Sequence, residues 1–236
     1  MMPAPVFLPP LELTNRPTVS DQVFAHLHRQ VLSLELPPGT KLSEVDVAKQ
    51  MGVSRQPVRD AFYRLSKQGF LVIRPQRATT VSLISAVAVM QARFIRTALE
   101  VETVRVATEA LTEGDLAALR DLIEEQRKAM EQGDKVLFHK LDDQFHREIC
   151  IRSGLDFTWE LIAENKGHMD RVRMLSLSFA SRDAFDDHQQ ILAALEARDL
   201  EQATQAMRDH LARILDQIGR IRSDHAELFD PEPERE

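Results

Sequence analysis

The sequence predicts a mainly α protein in two parts, and three observations predict it. Residues 43–82 read as two short helices around a glycine turn, followed by two β-prone runs. From residue 84 onward glycine is sparse, β-branched runs are absent, and helix-length segments alternate with short cap-like connections. Charge divides at the same place: residues 1–82 carry +4 and residues 83–236 carry −11, within a net charge of −7. A basic module on an acidic body is the pattern of a domain that meets a polyanion, joined to one that does not.

Residues 1–17 hold five of the eleven prolines and are expected to form a flexible arm. A first helix over 20–34 places Val23, Phe24, Leu27, Val31 and Leu34 on its inner face, and Pro37-Pro38-Gly39 turns the chain. Ser43 and Asp46 form a capping-box-like pair at the head of a short helix ending at Met51. Gly52 supplies the turn into residues 53–69. There Ser54 suits the N-cap, Pro57 falls in the first turn, and Val58, Ala61, Phe62 and Leu65 form an apolar stripe up to Gly69. Arg55, Gln56 and Arg59 face away from that stripe, with the two arginines one turn apart. Two guanidiniums beside an amide suit guanine edges and phosphates in a major groove, although the helix alone reads equally well as a solvated surface. The β-prone runs 70–73 and 80–82 flank a hairpin carrying Arg74 and Arg77. A helix-turn-helix followed by a basic hairpin is a winged helix-turn-helix, expected over 18–82.

The remainder, 83–225, is expected to be an all-α bundle of six or seven helices near 85–111, 113–131, 134–153, 157–179, 183–197 and 200–223. Residues 226–236 read as a disordered acidic tail. A run of about 18 apolar residues is absent, so no membrane span is expected. The start lacks a basic n-region and a long apolar run, and Cys150 is the single cysteine. A cytoplasmic protein without membrane contact is the expectation.

Four polar residues of the bundle stand out. Asp142 and His146 are four apart and share one helix face. His188 and His210 lie at matched distances from the Arg198-Asp199 turn, roughly 15 Å along each arm of a helix hairpin, so they sit side by side. One carboxylate and three imidazoles brought together would suit Zn²⁺, Ni²⁺ or another borderline divalent ion. Spacing alone does not bring helix 134–153 to the hairpin, so hydrogen-bonded core histidines remain an equal reading. Arg93 and Arg96 open the first bundle helix, and Arg171 and Arg173 lie on a later one; arginines near a metal would grip a carboxylate ligand by fork geometry.

Residues 19–82 resemble the winged-helix domain of the GntR transcription regulators, through LPPGTKLSEVDVAKQMGVSRQPVRDAFYRLSKQGFL. Ala78 departs from the glycine that many relatives carry in the wing. Residues 85–222 resemble the FCD effector domain of the FadR-type branch, through RTALEVETVRVA (96–107), LDDQFHREIC (141–150) and HQQILAALEARDLEQATQAMRDHL (188–211). Leu155 departs where relatives commonly have asparagine. The resemblance implies DNA contacts from Ser54, Arg55, Gln56, Arg59 and Arg77, and a divalent metal on Asp142, His146, His188 and His210. It also implies a small carboxylate or sugar-acid effector held by Arg96, whose Arg-x2-Leu-Glu pattern runs to Glu100, with Arg93 and Arg171 as further candidates. The functional expectation is a homodimeric repressor on a pseudo-palindromic double-stranded operator. The alternatives are a metal-dependent enzyme with a DNA-binding appendage, or a regulator whose metal is purely structural. Against the enzyme, the sequence carries no nucleophile motif or phosphate loop, and Asp143 lies about 100° round the helix from Asp142.

Overall fold

The computed structural model describes residues 16–74 and 76–231, so the expected arm lies outside the described residues up to position 15. Helix α1 (Val19–Leu32) opens with a full capping box in which Thr18 and Asp21 satisfy each other's backbone. Strand β1 (Lys41–Leu42) leads into α2 (Glu44–Met51), where Ser43 accepts from the Asp46 N–H. Gly52, at φ +66°, ends α2 in the left-handed conformation that a tight turn requires. Next comes α3 (Arg55–Lys67), then β2 (Leu71–Val72) and β3 (Thr79–Val81). The three strands pair antiparallel in the order β1-β3-β2, with Lys41 opposite Thr80 and Leu71 opposite Val81. Strand β1 escapes a reading based on β propensity, because two residues beside a Pro-Pro-Gly turn carry no periodicity. Val23, Leu27 and Val31 of α1 pack with Val58, Phe62 and Leu65 of α3 in one core.

The rest of the described chain is helical: α4 (Ala86–Ala110), α5 (Glu113–Glu131), α6 (Lys135–Arg152), α7 (Asp156–Asn165), α8 (Gly167–Ser176), α9 (Ser181–Glu196), α10 (Leu200–Ala212) and α11 (Ile214–Asp224). Two helices expected to be continuous are therefore each broken. The segment expected over 157–179 breaks at Lys166, whose buried ammonium lies 2.7 Å from Asp143 and 2.6 Å from Asp170. The segment expected over 200–223 breaks at Arg213, which forks onto Asp187 with two bonds of 2.7 Å. At both residues the backbone stays in the right-handed helical region, and each side chain reaches a carboxylate on a neighbouring helix.

Helices α4, α5, α6, α9 and α10 share one core that includes Val104, Leu119, Phe145, Ile191 and Met207. Arg198 takes φ +55° at the α9–α10 turn and donates to the carbonyls of Thr108 and Leu111, satisfying the open end of α4. A second cluster joins Ile84 and Val89 to Val172 and Ile221. It also contains Phe229, which corrects the first part of the expected tail: residues 226–228 form a 3-10 turn and Phe229 is buried beside Ile84, while residues 232–236 lie outside the described residues. Burial of one aromatic side chain outweighs the acidic composition around it. No helix among the described residues is long and apolar enough to cross a membrane.

Candidate metal centre and DNA-facing helix

Helix α3 presents its polar front end to solvent. Arg55 and Arg59 keep 60% and 57% of their side-chain surface, and both guanidiniums lie 3.4–3.5 Å from a single Glu44 oxygen on α2. Pairs this exposed contribute little to stability but aim the two side chains in one direction. Gln56 donates to Asp60 at 2.8 Å. Ser54 is at the N-cap position, yet its hydroxyl accepts no capping hydrogen bond among the described residues, which leaves it available. Arg74 and Arg77 are exposed at the tip between β2 and β3. Gln76, rather than Ala78, takes the left-handed φ of +59° in that turn.

Asp142, His146, His188 and His210 converge inside the bundle, with one ligand atom from each lying within 4.8 Å of all the others. Helix α6 is capped by Asp134, and its Phe138, Leu141, Phe145 and Ile149 carry Asp142 and His146 into the core. The hairpin of α9 and α10 brings the rings of His188 and His210 to 4.6 Å between centroids. Side-chain exposure is 0–1% for Asp142, His146 and His188 and 9% for His210.

The outward nitrogen of each ring has an oxygen partner. His146 Nδ1 is 2.6 Å from Glu100 Oε2, His188 Nδ1 is 2.8 Å from Gln126 Oε1, and His210 Nδ1 is 3.4 Å from Asp187 Oδ2. Gln126, and more weakly Asp187, hold His188 and His210 in the tautomer whose Nε2 lone pair points inward, while Glu100 meets His146 as an ion-pair contact without a hydrogen bond. His146 Nε2 and His210 Nε2 then face each other at 3.1 Å, while His188 Nε2 and Asp142 Oδ1 are buried with no hydrogen-bond partner among the described residues. Lone pairs pointed at one another in a dry site repel unless a cation or proton stands between them, so the donor set fits a divalent ion.

Electrostatics agree. Burial holds His188 well below the ordinary imidazole value and lowers His210 despite its contact with Asp187, so both offer neutral nitrogens. Burial would raise the pKa of Asp142, but the guanidinium of Arg173 keeps the carboxyl ionised. Glu100 is likewise held low, its own burial overcome by Arg96 at 2.5 Å.

Arg96 is 1% exposed and lines a cavity of about 40 Å³ beside the four residues, together with Arg173, Ser176, Arg213 and Gln217. Its Nε donates to Glu100, and its Nη2 has no partner among the described residues. Arg93 does not line this cavity. Arg171 is a correction to the expected effector set: it turns away and donates to Ser82 O at 2.6 Å and Ser82 Oγ at 3.2 Å. Residues 171 and 173 lie roughly 200° apart round a helix, so only one of them can face the site. Arg173 is that one, bonding Asp142 and, at 3.2 Å, Asp143. His139 groups with Asp142 and Asp143, but both oxygens of Asp143 are already engaged, one by Lys166 at 2.7 Å and the other by Arg173 at 3.2 Å.

Glu100, Gln126 and Asp187 were missed as supporting residues. Glu100 closes the Arg-x2-Leu-Glu pattern, and Asp187 is adjacent to His188. Gln126 carried no local signal, since its partner lies 62 positions away.

Two family models match the chain: the bacterial regulatory proteins of the gntR family over residues 19–81, and the FCD domain over residues 91–213. The chain is 34% identical to the HTH-type transcriptional repressor RspR of Escherichia coli strain K12, over 94% of this chain and 98% of that one. It is 30% identical to a probable D-xylose utilization operon transcriptional repressor of Paenarthrobacter nicotinovorans, over 85% and 89% of the two chains. Among solved structures, E. coli McbR/YncC matches with a TM-score of 0.72 at 28% identity, covering 86% of this chain and 98% of that one. These relatives are named as regulators rather than enzymes. A winged helix joined to a helical domain, matched along nearly its whole length by such proteins, has one family assignment: the chain belongs to the GntR family of bacterial regulatory proteins and is a transcription regulator with an FCD domain.

Proposed function

We propose that this regulator is a homodimeric repressor whose operator affinity is set by a small carboxylate or sugar acid bound beside a divalent ion on Asp142, His146, His188 and His210. The observation that carries the reading is the inward set of Nε2 atoms, each ring being held from behind by Glu100, Gln126 or Asp187. Bound Zn²⁺ or Ni²⁺ would supply a positive centre for an anion in an otherwise acidic domain.

Arg55, Gln56 and Arg59 enter the major groove in this reading, Ser54 and Arg77 meet phosphates, and two-fold symmetry sets half-sites about one helical turn apart. The unpartnered Nη2 of Arg96 supports its role as anchor for the far end of the acid. A cavity of about 40 Å³ has room for only a few water molecules, so an acid of metabolite size must displace the helices around it. That displacement makes affinity for acid and for operator depend on each other.

The test is a titration of small hydroxy and sugar acids against metal-loaded protein while operator binding is followed. Arg96→Lys keeps a cation for Glu100 but loses the fork, so it should retain DNA and metal affinity and lose the acid response. A normal response in that variant contradicts the anchor role. No response in the wild type to any acid contradicts the effector reading.

A further inference from the structure

Helix α8 has two faces that touch different parts of the molecule. On one, Met169 and Arg173, one turn apart, border the metal centre: Arg173 bonds Asp142, and Met169 Sδ lies 3.8 Å from Arg96 Nη1. On the other, Gly167, His168 and Arg171 meet the winged helix. His168 Nε2 is 3.1 Å from the carbonyl of Gln68, the residue that caps the C-terminal end of α3, and its ring stacks on Phe70 at 4.6 Å. Phe70 in turn meets His28 of α1 edge-on at 5.2 Å. Arg171 holds the carbonyl of Ser82, just beyond β3. Gly167 has no room for a side chain, because a Cβ there would lie 2.6 Å from Phe70 Cζ and 3.2 Å from Leu32 Cδ2.

We infer that α8 is the lever between the two domains, carrying a change at Asp142 to the end of the recognition helix through Gly167 and His168. This rests on the metal reading above. Of the two carboxylate oxygens of Asp142, Oδ2 meets Arg173 and lies 3.9 Å from His146 Nε2, while Oδ1 faces His188 Nε2 at 3.7 Å without a hydrogen bond. A cation held by Oδ1 draws charge from the carboxylate and weakens its hold on Arg173. An anion in the cavity competes for the same guanidinium, which lines it. Either change shifts Arg173 and hence a ten-residue helix that is short enough to move as one body. Its far side has space to move into, since a cleft of about 1170 Å³ lined by Lys67, Gln68, Phe70 and His168 opens beside the contact. Moving the end of α3 re-aims Arg55 and Arg59 at its start.

The experiment is hydrogen exchange of the full chain, metal-free and with Zn²⁺ alone, alongside calorimetric measurement of Zn²⁺ affinity. In the wild type, Zn²⁺ should change exchange at residues 66–70 by about fivefold or more. His168→Ala and Gly167→Ala should bind Zn²⁺ with wild-type affinity and lose most of that change, and circular dichroism checks that each remains folded. Zn²⁺ binding with unchanged exchange at 66–70 in the wild type overturns the lever while leaving the metal centre standing. Absence of Zn²⁺ binding overturns both. A full response in both folded variants overturns the assignment of Gly167 and His168 as the contact.

Discussion

Arg59 on the recognition helix and Arg173 beside the histidines are both guanidiniums held by carboxylates, under opposite conditions. Arg59 keeps 57% of its side-chain surface and shares one Glu44 oxygen with Arg55 at 3.4–3.5 Å. Arg173 keeps 13% and bridges Asp142 and Asp143, with Asp170 at 3.9 Å. In water the first pair costs little to make or break, so its arginines can leave Glu44 for phosphates or bases. In the interior the second can only be exchanged for another charge, because an unpaired buried ion is costly. The surface region is built for release, and the buried one for substitution. A regulator needs both kinds of contact.

The largest expected effect that sharpens this contrast lies with Glu100. Glu100→Ala strands Arg96 in the core and should lower stability by about 3–5 kcal/mol, whereas Glu44→Ala should change it by no more than about 0.5 kcal/mol. Urea unfolding of the two variants checks this, and equal effects would erase the distinction.

Next in size are the residues behind the imidazoles. Gln126→Leu and Asp187→Asn should each lower Zn²⁺ affinity by about 10–100-fold, measured by competition with a chelator, because ring orientation and tautomer are lost while the ligands remain. On the exposed side, Arg55→Ala and Arg59→Ala should each weaken operator binding by about 1–3 kcal/mol with melting temperature unchanged. Intact operator binding in both would remove α3 from the groove.

Acidity tests the buried histidines as well. His188 and His210 have folded pKa values below the ordinary 6.5, so below that pH the unfolded chain binds more protons than the folded one. Their contribution is therefore present above about pH 6.5 and lost as pH falls toward their depressed values. The metal-free protein should show a falling melting temperature between pH 7 and pH 5, and a flat profile there would contradict neutral buried histidines. The smallest effect belongs to the wing: Arg77→Ala should weaken binding to all sequences alike and reduce the salt slope by about 1.

Legibility followed the same division. The front end of α3 could be read because its stripe, turn and arginines lie within seventeen consecutive residues. The pairing of His188 with His210 was legible too, since a short turn sets the register of a hairpin. Less local features were hidden. Nothing near position 126 announces His188, and nothing near Arg171 or Arg173 says which neighbour each will meet. Lys166 meets Asp143 from another helix, and Phe229 pairs with Ile84 from the far end of the domain. Contacts between residues far apart in sequence set these features, and periodicity does not encode them.

The central claim is that the inward Nε2 atoms and Asp142 form one cation site, and calorimetric titration of metal-stripped protein with Zn²⁺ tests it most directly. The account predicts about one ion per chain, with binding lost in His188→Ala and a higher melting temperature in the loaded wild type. Absence of binding, or an isotherm in His188→Ala that matches the wild type, would contradict it.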